Sequence, residues 1–135
     1  KLIDPVYNWS RRNSLWPLGF GLACCAIEMI CAASSRYDLA RFGINFVASP
    51  RHADGIVVTG PVSRNMKTAL LQTYAAVPDP KVVIAVGSCA LTGGPFRGSP
   101  EITEGLDSLL PVDLYIPGCP PHPLTNLHAL LTFFK

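Results

Sequence analysis

Charge is what this chain has least of. Only 15% of its 135 residues are Asp, Glu, Lys or Arg, while 49% are hydrophobic. Soluble domains carry about 25% charged residues. So sparse a charge leaves two classes: a membrane-spanning chain, or a subunit buried among partners. There is no dense Lys/Arg run and the net charge is only +2, which argues against binding nucleic acid through a basic patch. Nor is there an unbroken membrane-length apolar run. The best candidate, residues 15–33, is uncharged only as far as Glu28 and contains Pro17, Gly19 and Gly21. A spanning helix needs roughly 20 apolar residues and is disfavoured by a carboxylate within it. No basic n-region or small-residue cleavage pattern leads the chain, so no signal peptide is expected. Internal repeats and low-complexity segments are missing too. Gly93-Gly94 lacks the Lys-Ser/Thr that completes a phosphate loop, which excludes nucleotide binding of that kind. The buried subunit remains.

What is present is a series of short apolar runs closed by Gly or Pro. Runs at 44–48, 56–59, 82–86 and 114–116 predict strands, being short, partly β-branched and bounded by turn residues. Between the second and third, Met66, Ala69, Leu70 and Tyr74 fall at helical spacing within 63–76. Further helices are expected at 26–35 and 124–134, with a short helical turn at 107–110. Strands alternating with helices indicate parallel βαβ units. The length allows one hydrophobic core. The expected fold is therefore α/β: a single small doubly wound, flavodoxin-like domain with a mostly parallel sheet, over 15–135. The polar segment 1–14, ending near Arg11-Arg12-Asn13, is expected to lie on a partner.

Five cysteines stand out: Cys24, Cys25, Cys31, Cys89 and Cys119. An odd number without a secretion signal argues for reduced thiols rather than a disulfide framework. In open α/β sheets ligands bind beyond the carboxyl ends of strands. There the run 82–86 leads into Gly87-Ser88-Cys89, and 114–116 leads into Pro117-Gly118-Cys119-Pro120-Pro121. Cys24 and Cys25 are expected just before the helix 26–35, where free N–H groups and the helix dipole favour thiolates. Four thiolates from three loops suit a cubane iron–sulfur cluster, one per iron. A structural zinc site usually spaces paired cysteines by two or more residues, which the tandem pair does not. A cluster, a zinc ion and inert buried cysteines all remain open on residue chemistry alone. Cys31, six residues beyond Cys25, reads as a small buried hydrophobe.

These residues resemble a known family. Asn13-Ser14-Leu15-Trp16-Pro17 and Gly21-Leu22-Ala23-Cys24-Cys25-Ala26-Ile27-Glu28-Met29 are similar to the B subunit of complex I. So are Arg36-Tyr37-Asp38-Leu39, Arg41-Phe42-Gly43, Ala48-Ser49-Pro50-Arg51, Gly87-Ser88-Cys89 and Pro117-Gly118-Cys119-Pro120-Pro121. Cys89 follows Cys25 by 64 residues and Cys119 follows Cys89 by 30, which also fits. The resemblance implies one [4Fe–4S] cluster held by Cys24, Cys25, Cys89 and Cys119, at the strand C-terminal edge. It implies electron transfer to or from the active site of a large catalytic subunit. Other iron–sulfur subunits and membrane subunits would complete a complex at the cytoplasmic side of the membrane, reducing quinone.

Some stretches point elsewhere in the same superfamily. Val58-Thr59-Gly60-Pro61-Val62-Ser63-Arg64-Asn65-Met66 and Pro78-Asp79-Pro80-Lys81 resemble small subunits of membrane-bound energy-converting NiFe hydrogenases, formate hydrogenlyase included. Those carry Cys-x-x-Cys, not the tandem Cys24-Cys25. The alternatives are thus a hydrogenase small subunit and, more remotely, a structural subunit without a cluster. Glu28, one turn from the tandem pair, reads as a proton-transfer group or a polar cap. Arg36, Arg41 and Arg51 match family positions near the cluster, where a guanidinium would offset its charge; a structural ion pair with Asp38 or Asp54 is the rival. His52 could titrate near neutral pH, or be an ordinary surface or core histidine. No catalytic residue is expected in this chain.

Overall fold

The computed structural model describes residues 3–134, with the side chains of Tyr7, Asn8, Arg11 and Arg12 left aside. The first two residues of the segment 1–14 thus lie outside the described residues. Helix α1 spans Asp4–Asn13, strand β1 Pro17–Gly21 and helix α2 Cys24–Ala33. Then come β2 (Gly55–Thr59), α3 (Arg64–Ala76), β3 (Val82–Val86), the short α4 (Ser88–Thr92), β4 (Leu114–Ile116) and α5 (Pro123–Phe133). The expected turn near 107–110 is a 3-10 turn, Leu106–Ser108.

All four strands are parallel, in the order β1-β2-β3-β4. The segment 44–48 expected as a strand is not one. It touches β1 through two isolated parallel bridges, Leu15↔Ile44 and Leu18↔Val47, with the Asn45 N–H donating to the Leu15 carbonyl at 3.0 Å and the Val47 N–H to the Pro17 carbonyl at 3.1 Å. It still occupies the outer edge beside β1. Counting it as an irregular edge strand, the spatial order becomes 2-1-3-4-5, the doubly wound flavodoxin-like arrangement. That order explains the layers. Right-handed crossovers running in opposite directions along the sheet send α2 to one face and α3 to the other.

The strand residues then divide by pleat. Val57, Ile84, Val86 and Ile116 pack with Met29 and Ala32 of α2 and Leu127 and Leu130 of α5. Ile56, Val58, Val83 and Ala85 pack with Leu70 of α3, Ala90, Leu106 and Leu110. All five residues of β2 are buried, as a strand covered on both faces must be. Strand β1 is not among the expected strands. Pro17, Gly19 and Gly21 read as helix breakers inside an apolar run, and at the sheet the two glycines' lack of a side chain is what fits. A Cβ on Gly19 would press on the Phe46 ring at 3.4 Å, and one on Gly21 would stand 2.9 Å from the Ala26 Cβ.

Helix α3 begins one residue after its expected start, because the Ser63 hydroxyl accepts from Met66 N at 3.3 Å as an N-cap. Helix α2 begins two residues early, at Cys24. Among the described residues no helix is long and apolar enough to cross a membrane.

A candidate four-thiol site at the sheet edge

The register sets the site. Gly21, Thr59, Val86 and Ile116 are level across the sheet, so the loops that follow them gather on one edge. Gly60, at φ 92°, lets the β2 exit approach the loop after β1: a Cβ there would come 2.8 Å from the Ala23 Cβ. The Leu22 amide donates to the Thr59 carbonyl at 2.9 Å, closing that side. Chain direction turns sharply at Ala23, and Cys24 and Cys25 become the first two residues of α2. The expectation that they precede the helix is corrected by this turn. Ala23 offers no side-chain cap, so the first N–H groups of α2 are left for whatever the site holds.

The other two thiols arrive from the neighbouring loops. Gly87 at φ 89° turns β3 into α4 and delivers Cys89. Gly118 at φ 146° precedes Cys119, whose bond to Pro120 is cis. Two glycines leave room for sulfur. A Cβ on Gly87 would collide with the Sγ of Cys25, and one on Gly94 would stand 3.1 Å from the Sγ of Cys89. These are cradle positions that no larger residue fills without displacing a thiol.

Two of the four thiols, Cys25 and Cys89, are shifted by burial and by the other thiols. Burial, then the charges of Cys24 and Cys89, a hydrogen bond with Cys24 and the charge of Cys119 push Cys25 up to about 12. Cys89 is raised by burial first, then by Cys119 and Cys24. Cys25 and Cys89 are buried, whereas Cys24 and Cys119 are exposed. Such mutual repulsion means that at neutral pH the buried thiols stay protonated until a cationic centre takes the protons' place. Among the described residues no three His, Cys, Asp or Glu side chains converge tightly enough to hold one metal ion. Cys25 and Cys89 are joined electrostatically to the other thiols of the set.

Glu28 lies one turn along α2 from Cys24 and Cys25, half-buried. Arg41 and His52 lie toward the opposite edge of the sheet. Arg41 precedes Gly43, whose carbonyl accepts from Leu15 N at 2.8 Å, and that places it where the strands begin. His52 lines a cleft with Ser10, Ser14, Trp16 and Asp54 at the same end. A five-residue strand puts that edge roughly 15 Å from the thiols. Arg36 lies over the Tyr37 ring at 5.8 Å, and that ring meets His122, three residues after Cys119, edge-on at 6.2 Å, while Arg41 lies over Phe42 at 4.7 Å. Arg51 shares the exposed turn with His52. Asp54 is engaged by the Trp16 backbone N–H at 2.9 Å rather than by an arginine. Cys31 is half-buried on α2, apart from the four.

Set beside known proteins, the parallel sheet with thiols at its carboxyl edge falls in a family named for an oxidoreductase subunit. The chain belongs to the family described as NADH ubiquinone oxidoreductase, 20 Kd subunit, whose profile matches residues 23–133. It is 54% identical over 130 residues to the first of the NADH-quinone oxidoreductase B subunits of Roseiflexus sp. (strain RS-1), covering 96% of this chain and 48% of that one. The corresponding B subunit of Heliobacterium modesticaldum is 51% identical, with 74% of its length covered. The chain thus spans about half the length of the Roseiflexus relative. Among solved structures, the membrane-bound sulfane sulfur reductase, an archaeal respiratory membrane complex, contains a chain with TM-score 0.91 and 39% identity, covering 97% of this chain and 74% of that one. A chain of an NAD+-reducing [NiFe]-hydrogenase, 21% identical with TM-score 0.63, covering 88% of this chain and 92% of that one, shares the fold.

Proposed function

We propose that this chain carries one [4Fe–4S] cluster on Cys24, Cys25, Cys89 and Cys119, and passes electrons to or from the active site of a large partner subunit. The carrying observation is geometric: four thiols on three loops that leave the level ends of the strands, with Gly87 and Gly94 leaving room beside the sulfurs of Cys25 and Cys89. A donor set of four cysteines suits iron–sulfur ligation, and the tandem Cys24-Cys25 lacks the spacing a structural zinc site usually has. When bound, the cluster supplies one-electron redox chemistry.

This chain's own residues hold and shield it. Cys25 and Cys89 present buried thiols from the sheet side, and the sheet's apolar residues exclude water behind them. The uncapped start of α2 directs N–H groups toward the anionic site. Glu28 is placed to hold a proton beside it. Arg36, Arg41, Arg51 and His52 are groups whose roles we assign to partner contact rather than to the cluster. The segment 1–14 is read in the same way, as a contact with another subunit.

The complex is read as a membrane-bound, complex I-like quinone-reducing oxidoreductase with its cluster subunits at the cytoplasmic face. The NADH-quinone oxidoreductase relatives support that reading. A second reading has a specific observation behind it. The likeness at TM-score 0.91 to a chain of the sulfane sulfur reductase makes the partner's site the variable, so a nickel-containing or other non-quinone partner fits the same subunit.

Replacing Cys119 by Ser tests the core of the proposal. The variant is expected to lose most of its iron and its reduced-state EPR signal; unchanged iron would defeat the four-ligand assignment. Elemental analysis of the anaerobically purified complex then separates the partners. Nickel with iron indicates a hydrogenase-type site, iron alone indicates quinone or another nickel-free acceptor, and zinc without iron removes the cluster.

A further inference from the structure

Between the two ligand loops lies a contact that neither thiol makes. The Ser88 backbone N–H donates to the Gly118 carbonyl at 2.7 Å, and the Ser88 hydroxyl donates to the same oxygen at 3.0 Å. One residue earlier, the Gly87 N–H donates to the Ile116 carbonyl at 2.8 Å. Ser88 immediately precedes Cys89, and Gly118 immediately precedes Cys119. The α2 arm is tied elsewhere, through Leu22 to Thr59 and Ala26 to Ala23.

We propose that Ser88 is a positioning residue: its paired donors lock the Gly118 carbonyl and thereby fix the separation and orientation of Cys89 and Cys119 before any cluster arrives. This rests on the four-ligand reading above and assigns a residue to it that carries no ligand. The physical argument concerns degrees of freedom. A single hydrogen bond from the backbone N–H leaves the Gly118 peptide able to pivot about that bond. A second donor from the side chain, approaching the other lone pair, removes the pivot. Gly118 sits at φ 146° with its Cα packed against Pro121, which holds the α-carbon from one side. The direction of its carbonyl is held from the other loop, by the two Ser88 donors. The neighbouring Thr92 hydroxyl, by contrast, turns back to the Ser88 carbonyl at 3.3 Å within α4 and does not touch the second loop.

The test uses the full chain, loaded anaerobically with iron and sulfide, as wild type and as Ser88→Ala, Ser88→Thr and Thr92→Ala. Readouts are iron release to a chelator, the EPR spectrum of the reduced cluster, and amide hydrogen exchange at position 88 in the cluster-free chain. Ser88→Ala is expected to load iron but to release it about fivefold faster, the factor that loss of a roughly 1 kcal/mol hydrogen bond gives. Its EPR lines should broaden, and amide 88 should exchange faster without the cluster. Thr92→Ala should match the wild type, and Ser88→Thr should restore it. Wild-type release, spectrum and exchange in Ser88→Ala overturn the proposal. If the wild type itself takes up no iron, the cluster reading falls separately, and the exchange at amide 88 alone decides the clamp.

Discussion

At the scale of single residues, the thiols are unequal. Cys25 sits near 12 because burial and its neighbours resist a negative charge there. In an unfolded chain the same thiol ionises near its ordinary value of 9.0. Between those values the folded chain keeps a proton that the unfolded chain has lost, so raising the pH favours unfolding. Below about pH 9 both states are protonated, and the contribution is constant. The cluster-free protein is therefore expected to lose stability as pH climbs from about 9 toward 12. Cys25→Ser, which does not titrate, should lose less. Urea midpoints at a series of pH values check this, and parallel curves for the two proteins would contradict it.

At the scale of elements, the site is made by the joints between strand and helix more than by either. The β3–α4 joint turns at Gly87, whose missing side chain is occupied by the Sγ of Cys25 from another element. Gly87→Ala combines a left-handed backbone with a collision, so it should cost several kcal/mol and displace Cys25. Expected are a lower melting temperature and a sharp fall in iron uptake; normal loading would show that the α2 arm can yield. These joints also mark what is legible in sequence. Runs 56–59, 82–86 and 114–116 are readable because β-branched residues stand between turn residues, and the observed strands match them within one residue. The convergence of Gly-Ser-Cys and Gly-Cys-Pro on one edge follows from that. Strand β1 is hidden, because its glycines serve contacts with Phe46 and Ala26 that only the fold creates. Helices α1 and α4 are hidden too, the first in a polar stretch and the second within five residues after a glycine. The Ser88 bond to Gly118 has no signal at all, since it joins residues 30 apart through one carbonyl. Which end of a strand the Arg41 and His52 loops return to is likewise not legible, because closeness in a family motif does not say it.

At the scale of the whole molecule, the sparse charge has a place. Ile27 and Ile30 on α2 stay 68% and 69% exposed, and Leu124 at the start of α5 is 54% exposed. Exposed side chains of this size are costly to leave in water at about 25 cal/mol per Å² of apolar surface. They lie on the two helices that begin at the thiol edge. The isolated chain is therefore expected to self-associate, and the double substitution Ile27→Glu with Ile30→Glu should make it more monomeric in light scattering. Unchanged association would move the sticky surface elsewhere.

The split between buried and exposed thiols has a directional consequence. Cys25 and Cys89 face layers of aliphatic side chains, while Cys24 and Cys119 face outward. Tunnelling fades steeply with distance, so a charge carrier seated among these four has a long, insulated path through the domain and a short one at its open face. On the cluster reading proposed above, the domain would be a terminal rather than a relay: traffic would enter and leave on one side, and the proteins covering that side would decide where the current goes.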